Sequence, residues 1–477
     1  MYKNLIGRKD EQEILKKALG SNEAEMISVI GRRRVGKTYL IRTAYEHRIV
    51  FEISGLQNAT GEEQLRNFAN QLKKYSNSKI TIPTPKDWLD AFFILVDFLE
   101  STDLKEKPVV FFDEVPWMAT HKAGFLKGLS YFWNSWAVKQ NIVVVICGSA
   151  ASWMIQKILR DKGGLHNRVT RRIRLSPFTL KETEEFLINR NIRLERYQLL
   201  QIYMAMGGIP HYLKELEAGK SAIQNIDKIC FSENGLLRDE FMSLYPALFK
   251  HSDYHKMLVR TLASKPNGLT RGDLIKYSKL TESGRITKVL MELTESGFIT
   301  DYPALGKKKK GKLYRLTDEY SIFYIRFIEP NLSETQGIWA SLGQSQSYKI
   351  WCGYAFENVC LKHILQIKKA LGISGIYTRS ASFHQKADAE NRGTQIDLLI
   401  DRNDRTINVV EIKFYDGTFS ISKDYAKKLR DKVQIFKETT QTKKQIFLTM
   451  ITSLGLKSNT HSLGLVDNNF DSDILFE

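Results

Sequence analysis

Residues 27–40 read ISVIGRRRVGKTYL, a short apolar run that breaks at Gly31 and restarts with helical spacing at Lys37. Gly31, Gly36, Lys37 and Thr38 complete the pattern GxxxxGK[ST]. In that spacing the loop Gly31-Arg32-Arg33-Arg34-Val35-Gly36 turns backbone N–H groups toward a triphosphate. Lys37 brings positive charge to the outer phosphates, and the Thr38 hydroxyl can ligate Mg²⁺. The helix that opens at Lys37 and continues through Tyr39 adds the positive end of its dipole. A strand before the loop and a helix after it are the context this motif requires, so residues 31–39 are expected to bind ATP or ADP with Mg²⁺.

Working outward, residues 6–11 (IGRKDE) lead into an amphipathic helix carrying Ile14, Leu15 and Leu19. Residues 108–114 read PVVFFDE, a continuous apolar strand of the kind a doubly covered parallel sheet demands, ending in two carboxylates. Asp113 is expected to hold Mg²⁺ through its water shell and Glu114 to orient and deprotonate the attacking water. A third apolar strand, residues 142–147, ends in Gly148-Ser149. Asn167-Arg168 precedes a further strand at 172–175, and the helical stretch 179–216 is interrupted at MGGIPHY, residues 206–212.

Taken together, these boxes resemble the archaeal-type AAA+ and STAND-related P-loop ATPases. The resemblance implies that Gly7-Arg8 lies near the base and that Ser149 is the polar sensor of the γ-phosphate or lytic water. It implies that Arg168 leans on the γ-phosphate of its own or a neighbouring subunit, although Asn167 stands where the family has glycine. The turn containing Pro210 falls in a helical lid near nucleotide, and a homo-oligomer is a partner the family allows.

At 477 residues the chain is longer than one core usually serves, and about two to four domains are expected. Lys plus Arg number 71 against 53 acidic residues, a net charge of +18 that favours polyanions, DNA first among them. Cys147, Cys230, Cys352 and Cys360 show no metal-ligand spacing and read as reduced packing thiols. No apolar run approaches the roughly 18 residues a bilayer span needs, so a cytoplasmic protein without a membrane partner is expected.

Helices at 255–262, 270–277 and 281–296, then strands at 298–302 and 312–316, describe a winged helix. Arg285 and Lys288 are expected on the exposed side of its third helix, and residues 306–312 (GKKKKGK) form a basic hairpin tip suited to phosphates. Beyond Pro330 a helix is expected from Trp351 to Leu371, followed by strands at 395–400 and 407–414. Asp397 and Glu411 on paired strands can share Mg²⁺ or Mn²⁺, with Glu357 approaching from the helix. Lys413, two residues past Glu411 on the same face, can position water or stabilise a cleaved phosphodiester. A helix at 424–436 carries Lys427, Lys428, Arg430 and Lys432, a row that could follow a backbone.

This segment resembles the PD-(D/E)xK nuclease core, with Gln395-Ile396-Asp397 in place of the PD dipeptide, and the domain of unknown function that commonly trails archaeal-type ATPases. The resemblance adds Gln434 as a polar residue near the metal. The expected fold class is multidomain α/β: a P-loop NTPase parallel sheet (1–178), a helical lid (179–250), a winged helix (251–330) and a nuclease-like α/β domain (331–477). The expected function is a Mg-ATP-hydrolysing, DNA-associated ATPase with a metal-dependent nuclease domain, in DNA processing or defence. The alternative is a STAND-like nucleotide switch whose nuclease fold is catalytically silent.

Overall fold

Five short strands, β1 (Glu25–Ile30), β2 (Ile49–Ser54), β3 (Val109–Asp113), β4 (Val143–Gly148) and β5 (Arg171–Arg174), build one sheet in the order β2-β3-β4-β1-β5. Every neighbouring pair is parallel. All residues of β1, β3 and β4 are buried, which is why their sequences run apolar without alternation. A cluster of Phe51, Phe68, Trp88, Phe92, Phe112, Phe125 and Phe132 fills one side of the sheet. The helix Gly61–Tyr75 starts at a capping box between Thr60 and Glu63, and the helix Trp88–Ser101 at an Asp87 cap.

The computed structural model describes residues 5–76, 82–103, 106–120, 124–160, 162–278, 283–302, 312–333, 337–385 and 393–477. The chain forms two compact units, Met1–Pro177 with Ala247–Lys250, and Phe178–Pro246 with His251–Glu477. The sheet just described lies in the first.

The second unit opens with helices Leu180–Asn189, Arg196–Met206 and Pro210–Leu213. Helices Ser252–Ala263, Arg271–Ser278 and Ser283–Glu295 follow, with strands β6 (Leu269–Thr270), β7 (Ile299–Tyr302) and β8 (Leu313–Leu316) in an antiparallel sheet of order β6-β8-β7. The lysine-rich tip at 306–310 falls outside the described residues. Arg285 departs from expectation: it is half-buried, its guanidinium lying over the Tyr254 ring and donating to the Tyr254 hydroxyl at 2.8 Å. Lys288 is exposed as expected.

A five-stranded mixed sheet closes the unit. Its strands are β9 (Thr378–Gln385), β10 (Thr394–Arg402), β11 (Thr406–Lys413), β13 (Gln445–Thr452) and β15 (Asn468–Phe470), in the order β15-β13-β11-β10-β9. A separate small pair joins β12 (Phe419–Ser420) to β14 (Leu456–Lys457). Strands β9, β10 and β11 are an antiparallel meander, and β13 lies parallel to β11 after the helix Lys423–Thr440. The helix expected from Trp351 to Leu371 begins earlier and breaks: Gln346–Lys362 is capped by Ser345, and Ile364–Ala370 follows His363. His363 donates from Nδ1 to the Val359 carbonyl at 2.8 Å, and its Nε2 accepts the Leu180 N–H at 3.0 Å.

Candidate functional site

Because β4 lies between β1 and β3, the carboxyl ends of three parallel strands bring the loop 31–38, Ser149 and Asp113-Glu114 side by side. Gly31 has no room for a side chain, since a Cβ there would lie 2.4 Å from the Leu175 carbonyl oxygen. Gly36 adopts φ 90°, a conformation glycine reaches freely, and the helix Lys37–Ala44 starts directly after it. Asp113 is buried. It accepts from Thr38 Oγ1 at 2.7 Å on one oxygen and from the Glu114 N–H at 3.0 Å on the other. A hydroxyl and a carboxylate oxygen held together at the mouth of a glycine loop are hard donors, and they fit Mg²⁺.

Glu114 carries a left-handed backbone, φ 47°, which costs a non-glycine residue about 1–2 kcal/mol. Its Oε2 accepts from both the N–H and the hydroxyl of Ser149, at 3.0 and 2.8 Å. Its Oε1 lies 4.0 Å from Lys37 Nζ, which donates to the Arg32 carbonyl at 3.1 Å. The sheet thus assembles Lys37, Thr38, Asp113, Glu114 and Ser149. Burial pushes the Cys147 thiol well above its usual range, as expected of a packing residue, and all four cysteines are buried and free.

Gly7 and Arg8 are both left-handed, with φ 62° and 53°, and Arg8 Nη2 donates to the Val35 carbonyl at 3.4 Å, so this entry segment touches the phosphate loop. Within the loop Arg32 is buried, Arg33 and Arg34 are half-buried, and Tyr39 on the following helix is exposed. Pro210 is the first residue of the helix Pro210–Leu213 in the second unit.

Arg168 lies elsewhere. It is exposed in a cleft it shares with Asn22, Glu23, Lys139, Gln140 and Asn141, the residues that enter β1 and β4. That is the amino-terminal edge of the sheet, and the length of β1, about 20 Å, separates it from the phosphate loop of its own chain. The expectation that Arg168 touches the nucleotide of its own subunit is therefore corrected.

In the second unit an open cleft of about 680 Å³ is bordered by Lys349, Tyr354, Glu357, Asp397, Lys413 and Lys432. The β10–β11 pairing runs from Asp401 with Ile407 to Leu398 with Val410, the residues next to Asp397 and Glu411. Glu411 is buried and fully engaged, accepting from Tyr425 at 2.6 Å and Lys432 at 2.7 Å, with Lys413 at 3.0 Å. Burial alone would raise its carboxyl, but Lys413 and Lys432 outweigh that and hold it below the usual range. Glu357 pairs with Arg315 at 2.8 Å, yet burial, helped by Asp397, pushes it up to about 7. Asp397 accepts from Gln395 at 2.7 Å.

The expected three-carboxylate metal site is not assembled in this arrangement. Both oxygens of Glu411 face cations or a phenol, Glu357 is tied to a guanidinium, and no three His, Cys, Asp or Glu side chains among the described residues converge as ligands. Gln434 is also displaced from its expected place: it is exposed and bonds Glu438, while the same helix presents Lys428, Asp431 and Lys432 to the cleft. Sequence reasoning passed over Arg315, Asn267 and Tyr425. Only the fold brings them to Glu357, Gln395 and Glu411, and no spacing signal marks them.

Residues 5–216, somewhat under half of the chain, match the family described as an ATPase domain predominantly from Archaea, and this part of the chain is similar to that family. The chain as a whole is similar to an uncharacterized protein of Methanocaldococcus jannaschii, 27% identical over 418 residues, 86% of this chain and 88% of that one. A 43-residue segment is 44% identical to an uncharacterized ATP-binding protein of the same organism, covering 9% of this chain and 73% of that one. Among solved structures, a Walker-type ATPase of Pyrococcus abyssi is similar at 16% identity and a TM-score of 0.49, over 68% of this chain and 97% of that chain. No helix among the described residues is long and apolar enough to cross a membrane.

Proposed function

We propose that the first unit hydrolyses Mg-ATP and that the second engages DNA, making this chain a DNA-associated ATPase that works in DNA processing or defence. The observation that carries hydrolysis is the convergence of Lys37, Thr38, Asp113, Glu114 and Ser149 at one edge of the parallel sheet. Mg²⁺, bound with ATP, supplies charge neutralisation across the outer phosphates. Thr38 and Asp113 are the residues that would hold it. Lys37, resting between the Arg32 carbonyl and Glu114, turns its ammonium to the β- and γ-phosphates, and Glu114 accepts the proton of the attacking water. Ser149 fixes the Glu114 carboxylate. Arg168 faces away from this centre, so a finger role for it requires the nucleotide of a neighbouring subunit in a homo-oligomer.

For the second unit, three helices interleaved with β6 and closed by β7 and β8 support the winged-helix reading, and exposed Lys288 on the third helix supports contact with phosphates. The order helix, antiparallel meander, helix and parallel strand supports the nuclease-like reading of residues 331–477. Lysines 349, 413, 428 and 432 around the cleft suit a phosphodiester backbone. A second reading, a slow nucleotide switch with a silent nuclease fold, is favoured by the full engagement of Glu411.

A turnover assay on Glu114→Gln beside a nucleotide titration tests the hydrolysis half. Retained ATP affinity with turnover reduced at least about 100-fold is expected. Turnover at the wild-type rate overturns it.

A further inference from the structure

A cavity of about 260 Å³ lies within the second unit, sharing Ile350 and Tyr354 with the C-terminal cleft but none of its carboxylates or lysines. Leu262 and Ala263, at the end of the helix Ser252–Ala263, and Leu316 of β8 form part of its wall. The helix Gln346–Lys362 adds Trp351, Ala355 and Asn358, whose spacing sets them in one stripe along that helix. A π-helical turn, Tyr324–Ile328, supplies Ile325 and Arg326. Turns of that geometry are rare and concentrate at functional sites.

The wall is mostly apolar, yet two of its buried polar groups are unmatched. Trp351 and Asn358 are 4% and 3% exposed, and neither the Trp351 indole N–H nor Asn358 Oδ1 has a hydrogen-bond partner among the described residues. Neither side chain is free to look elsewhere: Phe323 and Phe327 each pack on the indole with ring centroids 5.4 Å away, and Asn358 Nδ2 donates to the Leu316 carbonyl at 3.3 Å. A buried donor or acceptor without a partner costs free energy that a molecule of complementary pattern recovers on binding. Of the two cations in the lining, Arg260 is paired with Glu329. Arg326 is exposed and donates from Nε to Ser347 Oγ at 3.1 Å, with no carboxylate partner among the described residues.

We infer that this cavity binds a small organic acid with a flat, apolar body. The body packs against Leu262, Ala263, Leu316 and Ala355, its acidic group takes N–H groups from Arg326 and Trp351, and a donor on its ring serves Asn358 Oδ1. A wholly apolar ligand would leave both buried polar groups unmatched, and a polyphosphate would set several charges against aliphatic walls with one available cation. The volume lies near the lower end for small-molecule pockets, about 300 Å³, which suits a single ring system and excludes a length of polymer.

The test is calorimetric titration of the full chain with three probes: indole-3-acetate, which has a flat ring, one N–H and one carboxylate, and its two parts, indole and acetate. Indole-3-acetate should saturate a single site with Kd of about 1 mM or below, indole should bind about tenfold more weakly, and acetate should not bind. Arg326→Gln should weaken indole-3-acetate about tenfold and leave indole within about twofold, a split that loss of the wall would not produce. Ala263→Phe should abolish binding of both by filling the cavity. No saturable binding of indole-3-acetate to the wild type up to about 10 mM overturns the inference, as does binding that neither variant changes. Acetate binding as tightly as indole-3-acetate, or equal loss of both indoles in Arg326→Gln, overturns it too. If Ala263→Phe does not fold, Arg326→Gln, altered at an exposed position, decides alone.

Discussion

The Ser149 hydroxyl donates to Glu114 Oε2 at 2.8 Å, and the Ser149 N–H reaches the same oxygen at 3.0 Å. A residue at the tip of β4 thus holds the side chain that follows β3, with Glu114 already in a left-handed backbone. Ser149→Ala keeps the N–H contact and loses the hydroxyl. Steady-state turnover should fall about 10-fold with ATP affinity within about twofold of wild type, because one of two orienting bonds to the base remains. A loss confined to ATP affinity would place Ser149 on the nucleotide instead of on Glu114.

Lys37 has two partners in the structure, the Arg32 carbonyl at 3.1 Å and Glu114 at 4.0 Å. Lys37→Ala removes the cation offered to the phosphates, and ATP affinity measured by fluorescent-nucleotide titration should fall at least about 10-fold. Lys37→Arg should rescue it poorly, since the wider guanidinium does not fit so buried a position. Unchanged affinity in Lys37→Ala would remove the loop from phosphate binding.

The ring of His363 donates to Val359 and accepts from Leu180, so only the neutral form suits its site. Burial drives its pKa from 6.5 down to about 4. As pH falls through 6.5 the unfolded chain takes up a proton that the folded chain refuses until about pH 4. The stability contributed is therefore whole above the unfolded value and is lost across that window, by about 3 kcal/mol in all. Urea midpoints at pH 7.5 and 5 should separate more for the wild type than for His363→Gln. Equal separation in the two proteins would exclude His363 as the source.

Lys349 and Lys428 border the C-terminal cleft without being tied to Glu411. Lys349→Ala and Lys428→Ala should each weaken DNA binding, most at low salt, and lower the slope of log affinity against log salt by about 1. Slopes that match the wild type in both variants would direct DNA to another face.

Much of the nucleotide site was legible in the sequence because its chemistry is local. Gly31 to Thr38 is one continuous loop, and the apolar runs that become β1, β3 and β4 carry no alternation since both faces of the sheet are covered. The edge strand β9, TRSASFHQ, has no such run, as an exposed edge needs none, and reading by apolar stretches passes over it. The residues bound to Glu357 and Glu411 were legible only in part. Lys413 is two positions from Glu411, a spacing any strand converts into contact, but Arg315 is 42 positions from Glu357 and meets it only through the packing of β8 against the C-terminal segment.

Short-range order thus determined which residue types stand at strand ends and in the phosphate loop, because strand and helix periodicities act over a few residues. Tertiary structure alone decided that Ser149 holds Glu114, that Arg168 lies at the opposite edge of the sheet from its own phosphate loop, and that Arg315 neutralises Glu357. Strand order and module packing set those distances, and neither is written in the spacing of residues along the chain.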